Sequence, residues 1–184
     1  MVNTMNMPGR LMARSATECH LYIELHPCSC GEALEPGRHR LQSRDEGLVA
    51  VYDMSCRRCG TAHHAEFAMD EEIVPLGKFG GSRPSQIVDP GEFLAVADAA
   101  AREVPAAVDG LDAAMRGRAR SLMSRAAAAI EEVLKVIPPG EDSVPRGALR
   151  SVRGAALYQR EPGRFRRARL QAVLQVYRDA AAKL

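Results

Sequence analysis

The sequence predicts an α+β protein: a small antiparallel β region over residues 18–70, then a helical, bundle-like region of about four helices over 89–184. Three observations carry this reading. All five cysteines lie in the first third, and four of them form two close pairs beside strand-like stretches, Cys28/Cys30 and Cys56/Cys59. Apolar residues recur at three- and four-residue steps through the last ~95 residues, the spacing of helices with one buried side. Proline and glycine clusters separate these segments and stop each periodic run.

Residues 1–17 carry no period and read as a flexible N-terminal tail. In the stretch Cys19–Leu25, Leu21, Ile23 and Leu25 alternate with Tyr22 and Glu24, which predicts a first strand ended by His26-Pro27. Pro36-Gly37 marks a turn into a short strand over Arg38–Arg44. Leu48–Tyr52 is a stronger strand leading into Cys56, and Thr61–Met69 alternates again, with Ala65, Phe67 and Met69 on one face. Residues 71–88 form a linker rich in Pro and Gly. Its segment Gly77–Ser85 is glycine-rich and basic, but Lys78 precedes the glycine pair, so it is not a Walker loop; it reads as an ordered crossing with Phe79 as an apolar anchor.

The first helix after the linker has a legible start: Asp89 as N-cap, Pro90 at the first helical position and Glu92 as capping-box partner. Phe93, Leu94, Val96, Ala97 and Ala100 supply its apolar side. The longest helix is expected over Gly110–Ile137, with Leu111, Met115, Ala119, Leu122, Ala126, Ile130, Val133 and Ile137 in register, and Pro138-Pro139-Gly140 ends it. A shorter helix is expected over Pro145–Gln159. The last, Phe165–Lys183, carries Leu170, Leu174, Tyr177, Ala181 and then Leu184 at 4-3-4-3 spacing, a stripe that serves either an internal core or a homodimer.

Composition narrows the function classes. The chain has 184 residues, 46% of them hydrophobic, which argues for a folded protein. Aromatics are only 4% with no Trp, so base-stacking platforms are not a major theme. No apolar run is long enough to span a bilayer, and the first residues show no apolar segment of secretory type, so a cytoplasmic protein is expected. Net charge is only +2, yet residues 141–184 hold 10 Lys/Arg against 4 Asp/Glu, +6 in that stretch alone. Arg outnumbers Lys 22 to 3, which reads as base composition in a GC-rich genome.

The sharpest chemistry is C-S-C-G from Cys28 and C-R-R-C-G from Cys56. An odd cysteine count argues against a secreted disulfide framework, and close pairs of reduced thiolates suit zinc, a soft, redox-inert dication that takes four tetrahedral ligands. Gly31 and Gly60, directly after each pair, permit the positive φ of a tight curl. These residues resemble a zinc ribbon over roughly residues 20–69: two cysteine knuckles on β-hairpins, separated by 25 residues. The resemblance implies Cys28, Cys30, Cys56 and Cys59 as ligands of a structural Zn2+ supporting contact surfaces for nucleic acid or protein. Cys56 and Cys59 match the usual knuckle; Cys28 and Cys30 are one residue closer than a ribbon's first pair. His26, His63 and His64 lie near enough in sequence to replace a cysteine. Cys19 is expected to pack in the core.

A closed four-thiolate site keeps no position for a reactive water, and no deaminase, hydrolase, dinucleotide or di-iron signature occurs. The expected function is therefore non-enzymatic: a zinc-binding protein that binds a macromolecular partner, foremost a protein, in an adaptor, regulatory or toxin-neutralising role. The alternative is a nucleic-acid-binding regulator using Arg57, Arg58 and the arginine-rich last helix, where Arg164, Arg166, Arg167 and Arg169 are the candidate partner-binding residues. The same arginines also suit a solvated face or pairing within the molecule, for which Asp70, Glu71 and Glu72 are candidates. A thiol- or metal-dependent enzyme using Cys56/Cys59 is the third class.

Overall fold

A computed structural model describes residues 3–4, 11–107 and 110–184. Elements follow in the order β1 (Asn3–Thr4), β2 (Leu11–Ala13), α1 (Ala16–Leu25), β3 (His39–Arg44), β4 (Gly47–Ser55), β5 (Ala62–Met69), α2 (Pro90–Arg102), α3 (Ala113–Lys135), α4 (Val152–Arg160) and α5 (Arg167–Lys183). Contacts divide the chain into two units. One comprises Met1–Pro75, Phe79–Gly81 and Ser85–Ile87, and the other Leu76–Lys78, Ser82–Pro84 and Val88–Leu184. The architecture is α+β, and no helix among the described residues is long and apolar enough to cross a membrane.

In the first unit β3, β4 and β5 form the expected antiparallel meander, with Leu41 opposite Ala50 and Ala50 opposite Phe67. The sheet is mixed rather than wholly antiparallel, because β1 and β2 both run parallel to β5, Leu11 pairing with Phe67 and Ala13 with Met69. Of residues 1–17, assigned to a flexible tail by sequence, 3–4 and 11–13 are thus strand and 15–17 cap and begin α1, while residues 1–2 and 5–10 lie outside the described residues.

The stretch Cys19–Leu25 is not a strand but the body of α1. Ser15 caps it, its hydroxyl accepting from the Glu18 amide at 3.1 Å and donating to the Phe79 carbonyl at 2.6 Å. The buried residues Glu18, Cys19, Tyr22 and Ile23 recur at helical steps. The alternation Leu21–Ile23–Leu25 is no strand face, because Tyr22 between them is itself a core residue, its ring 5.5 Å from Phe67 and stacked on His26 at 4.0 Å. Tyr52 and Phe67 meet edge-on at 5.7 Å beneath α1, and the Cys19 thiol lies 3.9 Å from Met69 Sδ. Cys19 packs in the core as expected, in a helix. Burial and the carboxylate of Glu18 push its thiol up to about 12, although the neighbouring Tyr52 hydroxyl opposes the shift.

At the start of α1 lies a fully buried ion pair. Arg14 is 4% exposed and Glu18 0%, with Arg14 Nη2 donating to Glu18 Oε1 at 2.6 Å and the Arg14 amide to Oε2 at 2.7 Å. A Cβ on Gly80 would clash with the guanidinium of Arg14, so Gly80 is glycine for space. Phe79 beside it is buried, the anchor expected of that loop.

In the second unit α2 begins as its sequence predicts. Asp89 accepts from the amides of Gly91 and Glu92 at 2.8 and 3.0 Å, and Glu92 returns to the Asp89 amide at 3.0 Å. The same carboxylate also accepts from the Ser151 amide at 2.6 Å, at the N-cap of α4, so one buried acid ties two helix starts. Those helices approach backbone to backbone: a Cβ on Gly91 would collide with the Cα of Gly154. Asp89→Ala leaves three backbone donors without their acceptor, that of Gly91 buried and those of Glu92 and Ser151 half-buried, and is expected to cost about 3 kcal/mol by chemical denaturation, with Asp89→Asn retaining part of it.

α3 buries the run Ala126–Ile130 on all sides and packs against α2 and α5. The stripe Leu170, Leu174, Leu184 is buried as the 4-3-4-3 spacing implies, whereas Met115, expected in the α3 stripe, is exposed. The helix expected over Pro145–Gln159 is split: a 3-10 turn, Arg146–Ala148, precedes α4, whose cap is Ser151. Likewise Pro162–Phe165 is a 3-10 turn and α5 starts at Arg167.

Candidate metal centre

Helix α1 ends at His26, because a residue before proline is steered out of the helical region. The chain then enters a tight turn carrying Cys28 and Cys30, and β4 leads into a second carrying Cys56 and Cys59. The two turns share one hydrogen-bonding plan. In the first, the Cys28 amide donates to the Glu32 carbonyl at 2.9 Å and the Gly31 amide returns to the Cys28 carbonyl at 2.7 Å; in the second, Cys56 donates to Thr61 and Gly60 to Cys56, both at 2.9 Å. Gly31 (φ +86°) and Gly60 (φ +71°) take the left-handed conformation that closes each turn. The sulfur of each second cysteine accepts an amide two residues on, Glu32 for Cys30 and Thr61 for Cys59. The first turn is therefore the second with one residue removed between its cysteines.

That contraction still brings all four sulfurs together. Every pair lies within 4.8 Å, and two close contacts cross between turns: Cys28–Cys59 at 3.6 Å and Cys30–Cys56 at 3.5 Å. Four sulfurs at ~2.3 Å from one ion define a tetrahedron with edges of about 3.8 Å, so the cluster has the size of a four-thiolate zinc site. No disulfide joins them, and all five cysteines are free thiols. Cys28 and Cys56 are buried, Cys30 is half-buried and Cys59 is exposed.

The electrostatics suit a cation. The Thr61 hydroxyl, 3.1 Å from Cys59 Sγ, together with the Thr61 amide, holds the Cys59 thiol down at about 6. At Cys30 the Glu32 amide acts in the same sense, but burial and the neighbouring sulfurs of Cys56, Cys28 and Cys59 together push that thiol up to about 12. Without a metal, four adjacent sulfurs cannot all be charged; a dication inverts this, and its binding releases protons. Thr61 is the site residue that sequence reasoning passed over; a hydroxyl two residues after a ligand thiol was its signal.

None of the three histidines joins the sulfurs among the described residues. His26 Nδ1 is 2.7 Å from the Tyr22 carbonyl. His63 is buried on β5 with neither ring nitrogen paired, lining a small cavity with Tyr22, Leu34 and Met54. His64 lies on the opposite face between Asp53 (2.7 Å) and Glu66 (3.4 Å), in a row with Arg40 and Arg44. The Asp53 carboxylate, followed by Glu66, raises the His64 pKa above its ordinary value although partial burial opposes it. A pKa raised by folding means that protonation favours the folded state. The contribution is full below His64's ordinary value near 6.5 and fades as pH rises through the higher folded value. The thermal midpoint is therefore expected to be slightly higher at about pH 6 than at about pH 8, with that difference reduced in Asp53→Asn, where only Glu66 still faces the imidazole; the pair is too exposed for a large effect.

The candidate partner-binding arginines separate into two groups. Arg164 is half-buried and ion-paired to Asp98 at 2.6 Å, and Arg167 donates to the carbonyls of Ile137, Pro138 and Glu141 at the end of α3, so both hold the helical unit together. Arg166 and Arg169 are exposed. Arg57 pairs with Glu35, and Arg58 donates to the Cys30 carbonyl at 3.3 Å, bracing the first turn. No protein-family model matches the chain, and neither a curated protein nor a solved structure matches it.

Proposed function

We propose that this is a non-enzymatic, zinc-ribbon-like protein in which Cys28, Cys30, Cys56 and Cys59 hold one structural Zn2+, and whose task is to bind a macromolecular partner. The observation that carries the reading is the meeting of four sulfurs, all within 4.8 Å, from two turns built on one plan. Such a site saturates the ion with protein ligands, which suits a structural role and leaves no position for a metal-activated water. The ion would lock the cysteine turns of a unit of about 80 residues whose small sheet has limited apolar area to stabilise it alone.

Thiol titration distinguishes this from a thiol enzyme. In the metal-loaded native protein no cysteine is expected to react rapidly, since four are ligands and Cys19 is buried; a chelator is expected to release four. Rapid modification of Cys59 before chelation would favour a redox or nucleophilic thiol instead.

A further inference from the structure

We infer that the α4 region and the start of α5 form a surface for the phosphate backbone of a nucleic acid; this rests on the binding-protein reading above and names its partner class. The fold itself uses only some of its cations. Of the basic residues between 141 and 184, Arg164, Arg167 and Arg178 are engaged, with Asp98, with backbone carbonyls and with Glu131 respectively. Arg146, Arg150, Arg153, Arg160, Arg166 and Arg169 are all exposed, and among the described residues none has an ion pair or side-chain hydrogen bond. Only one acid, Glu161, lies within that 24-residue stretch, and it already faces Arg164 at 3.6 Å.

The six lie on or beside a 3-10 turn, α4 and the start of α5, which are tied around one buried ring. The Val144 amide donates to the Phe165 carbonyl at 3.1 Å and Ser143 pairs with Arg166, which brings the approach to Arg146 alongside the start of α5. Tyr158 of α4 meets Phe165 at 5.0 Å. Arg153 and Arg160, seven residues apart, lie on one line of α4 about 10 Å from each other. Arg166 and Arg169 occupy the N-cap and first turn of α5, where positive charge opposes the helix dipole and gains nothing from the fold. Planar, permanently charged guanidinium groups spread over short helices match a row of phosphates, each taking a bidentate pair of N–H donors. The exposed large apolar side chains, by contrast, are spread over β3, β4, the linker and three helices, with only Val152 in this stretch, so nothing here suggests an apolar protein groove.

The test uses the full-length, zinc-loaded protein and fluorescence anisotropy with a random-sequence DNA duplex, a single-stranded RNA of equal length, and polyglutamate as an acidic-protein surrogate. Binding to duplex or RNA is expected at about 50 mM salt, weakening about a thousand-fold by about 200 mM if all six arginines meet phosphates. The exposed quadruple variant Arg153→Ala/Arg160→Ala/Arg166→Ala/Arg169→Ala is expected to lose roughly tenfold or more at the lower salt, with the log–log salt slope shallower by about 0.9 per lost contact. No retention of either nucleic acid at the lower salt, an unchanged slope in the quadruple variant, or equal affinity for polyglutamate overturns the proposal. Circular dichroism and zinc content measured on the same samples separate the outcomes: a zinc-loaded, folded protein that ignores nucleic acid sinks this surface but not the metal centre.

Discussion

Cys56→Ser is expected to abolish stoichiometric zinc binding and to unfold the sheet of the first unit. Structural zinc contributes on the order of 10–16 kcal/mol in small thiolate domains, more than such a unit's whole stability. Loss of one of four ligands removes much of that and leaves Cys28, 2% exposed, buried with no ion beside it. A chelator should have the same effect on the native sequence, read as loss of protected amides in β3–β5. Cys19→Ala is the control: it removes a buried thiol from α1 and should keep one zinc per chain. The pH dependence follows from the thiols. Binding at neutral pH must expel the proton from Cys30, whose thiol stands at about 12 without metal, so zinc affinity falls as pH falls. Retention of the sheet in metal-free Cys56→Ser would show that the unit folds without the ion.

Glu18→Ala should be the most costly substitution away from the cysteines, at about 3–5 kcal/mol by denaturant midpoint, because it strands the Arg14 guanidinium in the interior. Glu18 is fully buried and supplies acceptors to the Arg14 backbone amide and to its side chain at once, so the loss includes a helix-start hydrogen bond. Glu18→Gln keeps an acceptor and the shape but not the charge, and should cost less. If both Glu18 variants unfold at the wild-type midpoint, the pair is not holding β2 to α1.

The contrast between what was legible and what was not is physical. The antiparallel strands showed because Leu48–Tyr52 is a short, uninterrupted apolar run and Ala65, Phe67 and Met69 recur at two-residue steps, and α2 showed because Asp89, Pro90 and Glu92 each do a local job. The sulfur cluster showed because metal ligation fixes residue type and spacing. Helix α1 was hidden by a chance two-residue alternation, although Ser15 and Glu18 form the S-x-x-E start that marks a helix; the Glu18 carboxylate was drawn instead to Arg14. Strands β1 and β2 were hidden because their pairing is with β5, some fifty residues away or more, and short parallel strands leave little local pattern. The fate of each arginine was equally hidden. Arg164 and Arg169 look alike in sequence, and only the position of Asp98 makes one of them internal.

The most direct test of the metal centre is zinc K-edge X-ray absorption on protein purified without added metal and quantified for zinc. One zinc per chain with four sulfurs at ~2.3 Å and no nitrogen or oxygen neighbour is the predicted result. A chain that carries no metal, or an ion whose first shell includes imidazole or water, would contradict it.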